Sequence, residues 1–330
     1  MKLIEKIKTM TNTTTTELIK PLLAKDVNEH KLKFPVGVCF KVDGSFAFIQ
    51  NSKLYARSLK LHENLYVTEQ YSNPDFNGLR GELIAGDDPT ATDLCRNTSS
   101  ALRTIEGQPK TSLFCFDYVL PETKDLPYRE RIFMLGMKVR ELRGMGYLNI
   151  FMIPVCYVNS MQEYHKLRDN FLNLGYEGCV LRDPMSKHKE GRSSSTKPDL
   201  WRYKPWSSAE IRVDYLVEEQ QNNNQAKKNE LGQTERSTHQ ENLVGKQTMG
   251  AIVGTLVTPL LDYQGKIVAD VGVQLTIATG SLKQNECKFY WDNQHEMLGK
   301  VVEFEYMSFG LKEKPRFAQF KRIRSENDLG

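Results

Sequence analysis

A chain of 330 residues is long enough to form two domains, each with its own hydrophobic core. Its residues are 39% hydrophobic and 26% charged, and no apolar run is long enough for a secretory signal or a membrane-spanning helix, so we expect no membrane partner. The six cysteines contain no CxxC pair, which argues against a structural zinc site and against a disulfide framework.

Positive charge is concentrated in two segments. The formal net charge of +4 is too small to indicate nucleic-acid binding by itself. Between Arg182 and Lys204, however, seven basic residues face three acids, and between Lys312 and Arg324 six face one. Such a run is as often a solvated surface as a binding site, so the neighbouring motifs have to decide its role.

The first two thirds of the chain predict an α+β domain. Residues 1–16, with the run TNTTTT, are expected to be a flexible extension, and the domain itself is expected over residues 17–209. Short apolar runs between polar turns are typical of strands; they are FPVGVCF, SFAFIQ, KLYARS, GELIAG, SLFCFDYVL and NIFMIPVCYV. Apolar spacings of three and four in YRERIFMLGMKVRELRG predict a helix, and Ser160 with Glu163 forms a capping box for a second helix that Gly175 can close. We expect antiparallel sheets flanked by helices.

The last third predicts a small all-β domain over residues 210–330. Its early part, residues 218–242, has ten Gln or Asn and only Ala226 and Leu231 as apolar residues, so we expect a flexible loop there. Short strand patterns follow it: MGAIVGTLV, KIVADVGVQLTI, GKVVEFEYM and RFAQFKRI. Their lengths suit a barrel of the OB type, although periodicity does not distinguish a barrel from a sandwich.

Lys41 is the first candidate for chemistry. It ends one predicted strand and Ser45 begins the next, so Lys-Val-Asp-Gly forms a tight turn in which Gly44 permits a backbone conformation that a β-carbon would oppose. A lysine amine is a poor nucleophile at neutral pH, but burial and nearby cations can lower its pKa. The tetrapeptide is short and is not specific by itself.

Further motifs follow Lys41 in a characteristic order. They are LYARSLK with Arg57, GLRGELIAG with Glu82, SLFCFDYVL with Phe116, YEGCVLRDP with Glu177, and LWRYKPW with Arg202 and Lys204. Together these segments resemble the nucleotidyltransferase motifs of ATP-dependent DNA ligases and mRNA capping enzymes. The likeness is strongest to small viral and phage DNA ligases, and it runs from about Ile19 to Asp328 through IKPLLA, GDDPTATDLCRNTS, YRERI, HKEGRS and GLKEKPRF. It implies an antiparallel-sheet nucleotidyltransferase (adenylation) domain followed by an OB-fold β-barrel domain.

The resemblance also implies a reaction and its residues. The protein would seal nicks between 5′-phosphate and 3′-hydroxyl ends in duplex DNA, using ATP, a divalent metal (Mg²⁺ or Mn²⁺) and a covalent AMP on Lys41. The other implied roles are catalysis by Asp43 and Lys204; binding of ATP by Arg57, Glu82, Phe116, Glu177, Arg202 and Lys204; metal binding by Glu82 and Glu177; and contact with the nick by Arg192. The basic residues of the terminal segment would bind nucleic acid or orient pyrophosphate, without a choice among Arg316, Lys321, Arg322 and Arg324. Such an enzyme would be a monomer in the cytoplasm, or in the host cytoplasm if it is viral.

Several alternatives remain open at this point. Phe46 and Arg80 stand where many DNA ligases have arginine and aspartate, and motifs of the form KxDGS also occur in RNA ligases, so the preference for DNA over RNA is open. A GTP-using mRNA capping guanylyltransferase would share Lys41, Glu82 and Glu177. An OB-type binding protein without catalysis would bind nucleic acid in a salt-sensitive way but would form no covalent nucleotide. Without the motif context, Phe116 would be an ordinary core residue.

Overall fold

The protein folds into two compact units. The computed structural model describes residues 17–91 and 93–325, so the predicted extension over residues 1–16 lies outside the described residues. The first unit ends at Tyr203 and the second begins at Lys204. This division precedes the predicted boundary at residue 209 because the strand that begins at Trp206 already belongs to the second unit.

Two five-stranded sheets form the first unit. Its strands are β1 Leu22–Leu23, β2 Lys25–Asp26, β3 Val36–Lys41, β4 Ser45–Gln50, β5 Lys53–Ala56, β6 Leu79–Ala85, β7 Thr111–Tyr118, β8 Ile150–Met152, β9 Cys156–Val158, β10 Gly178–Arg182, β11 Gly191–Arg192 and β12 Trp201–Tyr203. One sheet has the order β5-β4-β6-β7-β8 and the other the order β2-β12-β10-β3-β9, while β1 pairs with β11. Most neighbours are antiparallel, but β8, β2 and β1 each pair in parallel with their partners. The predicted antiparallel sheets are therefore present, with parallel pairs at their margins.

Four helices accompany these sheets: α1 Leu65–Gln70, α2 Leu94–Arg103, α3 Tyr128–Gly144 and α4 Met161–Asn173. In α3 the apolar residues whose spacing predicted the helix are all buried against the first sheet, namely Ile132, Leu135, Val139 and Leu142. The helix α4 begins after Ser160, whose Oγ accepts a hydrogen bond from the Glu163 amide at 3.2 Å. Gly175, with a φ of 87°, follows its C-terminus in the left-handed conformation that glycine adopts without strain. The capping pattern thus predicted both ends of α4.

The turn between β3 and β4 joins the two sheets. It carries the chain from Lys41, at the end of β3, to Ser45, at the start of β4 in the other sheet. An apolar cluster fills the space between the sheets at this point, with Cys39 and Val42 contributed by β3 and the turn, and Ile84 and Phe114 by β6 and β7. Gly44 is required for close packing rather than for an unusual φ, because a β-carbon there would lie 2.7 Å from the Leu83 carbonyl oxygen.

The second unit is a closed barrel and not a sandwich. Its strands are β13 Trp206–Asn222, β14 Ala226–Lys228, β15 Thr234–Arg236, β16 Leu243–Leu256, β17 Leu260–Leu261, β18 Ile267–Ala269, β19 Gln274–Ala278, β20 Val301–Met307 and β21 Arg316–Ile323, and its helix is α5 Gln284–Asp292. The barrel closes in the order β13-β16-β19-β21-β20 around a core of inward-facing apolar side chains. No helix among the described residues is long and apolar enough to cross a membrane.

Eleven of the 25 residues 218–242 lie in strands, so the predicted loop is wrong for those residues. The strand β13 continues to Asn222 in register with β16, and β14 pairs with β15 in a short hairpin. Most of these side chains are exposed. The backbone of a two-stranded ribbon is stabilised by hydrogen bonds between its strands. When the ribbon continues from strands of a barrel, it does not need an apolar face of its own. The absence of apolar residues therefore indicated the absence of a core, not the absence of strands.

Candidate active site

Lys41 and Glu177 form an ion pair at the junction of the two sheets. The Lys41 Nζ donates to Glu177 Oε2 at 2.5 Å, and the Glu177 amide donates to the Lys41 carbonyl at 3.1 Å. Both contacts follow from strand register, because Lys41 lies opposite Gly178 where β3 meets β10. Glu177 is only 1% exposed, whereas the Lys41 side chain is 18% exposed and so can be reached from solvent.

Glu82 contributes a second carboxylate from the other sheet. It lies on β6, opposite Phe46 on β4 and Phe114 on β7. Burial raises the pKa of Glu82 to about 7, and Lys41 and Arg57 only partly oppose this shift. The structure therefore brings Lys41, Glu82 and Glu177 into one electrostatic group, although they lie far apart in the sequence.

The charge state of Lys41 differs from the sequence-based expectation. Burial acts to lower the pKa of Lys41, but the carboxylates of Glu177, Glu82 and Asp43 outweigh it and raise the pKa above its usual value. We expected cations and burial to lower it, and that expectation is wrong for this state of the protein. The physical reason is that the nearest charged groups are acids, each of which stabilises the ammonium form.

Phe116, Arg57 and Asp43 surround this group. Phe116 is half-buried on β7, with its ring centroid 6.1 Å from that of Phe46. Arg57 is exposed just after β5, and its charge acts on Glu82. Asp43 lies in the turn after Lys41 and acts on the charge of that lysine. Arg57 and Asp43 thus act electrostatically on the Lys41 group, and Phe116 packs against the apolar cluster between the sheets.

Arg192 and Arg202 lie on strands of the same unit but have other contacts. Arg202 is on β12, and its Nε donates to Asp26 Oδ1 at 2.8 Å, so the structure pairs it with that acid rather than with the Lys41 group. Arg192 is exposed on β11, where it pairs with Leu23. Lys204 begins the second unit, and its Nζ lies 5.7 Å from the ring centroid of Phe317.

Comparison with known proteins identifies the fold. No protein-family model and no curated protein sequence matches the chain. Sixty chains of solved structures do match. Two structures of the Chlorella virus DNA ligase-adenylate match with a TM-score of 0.50, and each match covers 93% of this chain. The first is 22% identical and is covered over 100% of its length, and the second is 24% identical and is covered over 98%. A Lig E DNA ligase shares 18% identity with a TM-score of 0.64, covering 93% of this chain and 100% of its own.

The chain has the fold of a DNA ligase. This confirms the predicted fold class, in which an antiparallel-sheet nucleotidyltransferase domain precedes an OB-fold barrel. In this ligase fold Lys41, Glu82 and Glu177 lie in the first domain, and the terminal basic segment forms β21 of the OB barrel.

Acids engage most of the terminal basic residues within the OB domain. Glu303 on β20 accepts from Lys321 at 2.9 Å and from Arg322 at 2.7 Å, and these hydrogen bonds hold the pKa of Glu303 below its usual value, with Arg322 the larger influence. Arg324 lies 2.8 Å from a carboxylate oxygen of Glu210. Arg316 instead lies near an aromatic ring, 5.9 Å from the centroid of Phe317. Lys321, Arg322 and Arg324 therefore each have an acidic partner within the OB domain.

A buried arginine cluster behind Phe116 escaped the sequence analysis. Asp117, which is 2% exposed, accepts from Arg131 Nε at 2.8 Å and from Arg182 Nη1 at 2.6 Å. Arg80 lies opposite Asp117 in the β6–β7 register and is 3% exposed. Arg182 belongs to the first basic run of the sequence, but β10 buries it. The available signal was the single charge of two otherwise apolar strands, Asp117 in β7 and Arg182 in β10.

Proposed function

We propose that this protein is an ATP-dependent DNA ligase that seals nicks through a covalent AMP on Lys41. One observation carries the proposal: in a fold shared with two DNA ligase-adenylate structures, the accessible Lys41 amine pairs with the buried Glu177 carboxylate and is acted on by the charge of Glu82. An amine of this kind is suited to attack a phosphorus atom, and carboxylates beside it are suited to hold a divalent cation.

The first step transfers AMP from ATP to the enzyme. The Lys41 ammonium loses a proton to solvent, and its neutral Nζ attacks the α-phosphorus. The N–P bond forms as the bond from that phosphorus to the bridging oxygen breaks, pyrophosphate leaves, and the new phosphoramidate nitrogen releases a second proton to solvent. The carboxylates of Glu177, Glu82 and Asp43 raise the pKa of Lys41 and so oppose the loss of its proton. A divalent cation held by Glu177 and Glu82 would offset part of this negative charge and so favour the neutral amine.

Glu82 and Glu177 fit a divalent metal of the magnesium type. No group of three or more acidic, histidine or cysteine side chains suited to a metal occurs in the described ranges 17–91 and 93–325. Magnesium commonly takes one or two carboxylates and completes its shell with water and substrate phosphates, so two acids are sufficient. When bound, such a cation neutralises charge on the attacked phosphate. Mn²⁺ would fit the same oxygen ligands.

The remaining roles rest on the resemblance and on positions in the fold. Phe116 would stack on adenine, Arg57 would bind phosphate or sugar, and Arg202 and Lys204 would bind the α-phosphate. In the later steps AMP passes to the 5′-phosphate of nicked duplex DNA, and the 3′-hydroxyl, assisted by Asp43, attacks that phosphate and releases AMP. Arg192 would contact the nick. The OB-domain cations Arg316, Lys321, Arg322 and Arg324 would bind nucleic acid or pyrophosphate, and we propose a monomer.

Labelling with nucleotide tests the proposal. ATP labelled at the α-phosphate should leave an acid-labile label on the denatured protein, and both Lys41→Ala and Lys41→Arg should abolish it, because arginine does not deprotonate to a nucleophile in proteins. The matched control is Lys53→Ala, which removes an exposed lysine of β5. A label that survives in either Lys41 variant would contradict the assignment.

The choice of nucleotide and strand separates the alternatives. Label from GTP rather than ATP would indicate a capping guanylyltransferase. Sealing of nicked RNA in preference to nicked DNA or hybrid duplexes would indicate an RNA ligase. Salt-sensitive DNA binding without any label would indicate a binding protein.

A further inference from the structure

The N-terminal segment of the first unit forms a strap, residues 17–27, that crosses from one sheet to the other. Its only regular elements are β1 and β2, two residues each. The strap contacts the β4–β6 side of the first sheet, then the segment that carries Arg192, and finally β12, where the Val27 amide donates to the Arg202 carbonyl at 2.8 Å. It therefore links the body of the domain to a predicted DNA-contact residue.

Gln50 and Arg80 hold the start of the strap. Gln50 Oε1 accepts from the Ile19 amide at 3.1 Å, and Gln50 Nε2 donates to the Glu17 carbonyl at 2.8 Å. Arg80 Nη2 donates to the Ile19 carbonyl at 2.8 Å, and its Nη1 reaches the Lys20 carbonyl at 3.4 Å. Because Arg80 is almost fully buried, these carbonyl contacts are made away from water, where an unmade hydrogen bond is costly.

The next residues of the strap hold the Arg192 segment through backbone hydrogen bonds. The Gly191 amide donates to the Pro21 carbonyl at 3.1 Å, and the Ser193 amide donates to the Leu23 carbonyl at 2.8 Å. These two bonds flank Arg192, whose own pairing partner on β1 is Leu23. The backbone of Arg192 is thus fixed by the strap, while its side chain remains exposed.

Arg80 is not needed to neutralise Asp117. The guanidinium hydrogen bonds to that carboxylate come from Arg131 and Arg182, whereas the hydrogen bonds of Arg80 go to the strap. A third buried guanidinium adds positive charge that is expensive to desolvate. Its presence at this position is explained by the carbonyl groups that it holds.

We infer that Arg80 is a positioning residue for Arg192: by anchoring the strap, it fixes the Gly191–Arg192 strand so that the Arg192 guanidinium can reach the phosphate at a nick. The inference rests on the proposed function for the role of Arg192, but the mechanical link from Arg80 to β11 stands on the contacts alone. A buried residue can control a distant contact in this way because small displacements of a positioned group are costly for a reaction.

Hydrogen exchange tests the mechanical link in the full chain. Arg80→Met keeps the length of the side chain and removes its donors, whereas Arg80→Lys keeps a donor. We expect exchange at the Gly191 and Ser193 amides to be about tenfold faster or more in Arg80→Met, near the wild-type rate in Arg80→Lys, and unchanged within α3. Gln50→Leu, which loosens the same strap from a different residue, should reproduce the effect if Arg80→Met does not fold. Wild-type exchange at both amides in the folded variants would overturn the inference.

Activity measurements then test the positioning role. Arg80→Met should seal a nick that already carries AMP roughly tenfold to a hundredfold more slowly, while its lysine adenylylation stays within about twofold of the wild type. Combined with Arg192→Ala, it should add no further loss, because both changes remove one interaction. The matched control is Arg143→Met, whose guanidinium donates to the carbonyls of Leu148 and Ile150 elsewhere in the domain.

Two results would separate failure of this inference from failure of the proposed function. If Arg80→Met lowers adenylylation and sealing equally, or worsens the Arg192→Ala variant, Arg80 is only structural and the inference is wrong. If the wild-type protein forms no AMP adduct, the proposed function is wrong, and the exchange of Gly191 and Ser193 still decides whether Arg80 holds the strap.

Discussion

Phe116 is partly buried and partly exposed, unlike its neighbour Phe114. It lies on β7 two residues after Phe114, which is 6% exposed and stacks on Phe151 at 4.9 Å between ring centroids. Phe116 itself is only half-buried against the cluster between the sheets. Phe116 is therefore not a fully enclosed core residue, and its exposed part is available to a ligand.

The two phenylalanines should respond differently to truncation. We expect Phe114→Ala to lower the free energy of unfolding by about 3 to 5 kcal/mol, as for a buried aromatic side chain. Phe116→Ala should cost less stability but raise the ATP concentration needed for adenylylation by roughly tenfold, in line with the loss of one stacked base. Thermal melting and an ATP titration of the adduct measure the two effects. A large loss of stability in Phe116→Ala without a change in the ATP requirement would assign it to the core.

Three elements of the first domain meet at Asp117. This residue of β7 accepts hydrogen bonds from Arg131 of α3 and from Arg182 of β10, so one carboxylate joins a helix and a strand from each sheet. Burial acts to raise the pKa of Asp117, but the guanidiniums of Arg182 and Arg131 outweigh it and hold the pKa below its usual value. The ionised form is therefore the one that stabilises the fold.

Asp117→Asn should destabilise the domain, because it leaves buried guanidiniums without an anion. We expect a loss of about 3 to 5 kcal/mol in urea unfolding near pH 7. A depressed folded-state pKa contributes stability above the unfolded-state pKa and loses it as the pH falls toward the folded-state value. The stability of the wild type should therefore fall below about pH 4 more steeply than that of the variant. The control, Asp87→Asn, breaks an exposed pair with Lys110 and should change little. If the stability of the wild type and that of Asp117→Asn decreased equally below about pH 4, this explanation would be contradicted.

Across the whole molecule, the positive charge available to DNA is smaller than the sequence suggests. The terminal run contains six basic residues and one acid, but Glu303, Glu305 and Glu210 face Lys321, Arg322 and Arg324 from other strands of the barrel. In the first basic run Arg182 is buried, whereas Arg192 is exposed. Exposed cations without a nearby acid should dominate the salt dependence of binding.

Nick binding should decrease with salt, with a log-log slope of about 0.9 for each phosphate neutralised. We expect Arg192→Ala to reduce this slope by about one and to weaken nick sealing more than lysine adenylylation. Lys321→Ala should change the slope less, because two carboxylates already face its ammonium group. Affinity measurements at several salt concentrations, on nicked and intact duplex, provide the comparison. Equal changes in slope for Arg192→Ala and Lys321→Ala would show that the facing carboxylates do not reduce the contribution of Lys321 to binding.

Much of the candidate site could be predicted because its evidence is local. Lys41, Glu82, Phe116 and Glu177 were predicted from short motifs whose order resembles a known family, and the capping pattern at Ser160 predicted a helix end. The strands within residues 218–242 and the burial of Arg182 could not be predicted, for a common reason. The composition of a segment shows how polar it is. It does not show whether the backbone of the segment pairs with another strand or whether a charged side chain pairs with a buried acid.

By itself the sequence determined that the chain has two domains, an α+β domain and a small β-domain, with Lys41 as the candidate nucleophile. Only the tertiary structure decided the charge state of that lysine, because strand register places Glu177 against it from 136 residues away. The same holds for Asp117, whose partners come from a helix and a second sheet. Electrostatic energies depend on distances in space and on burial, and both arise only when separate segments pack together.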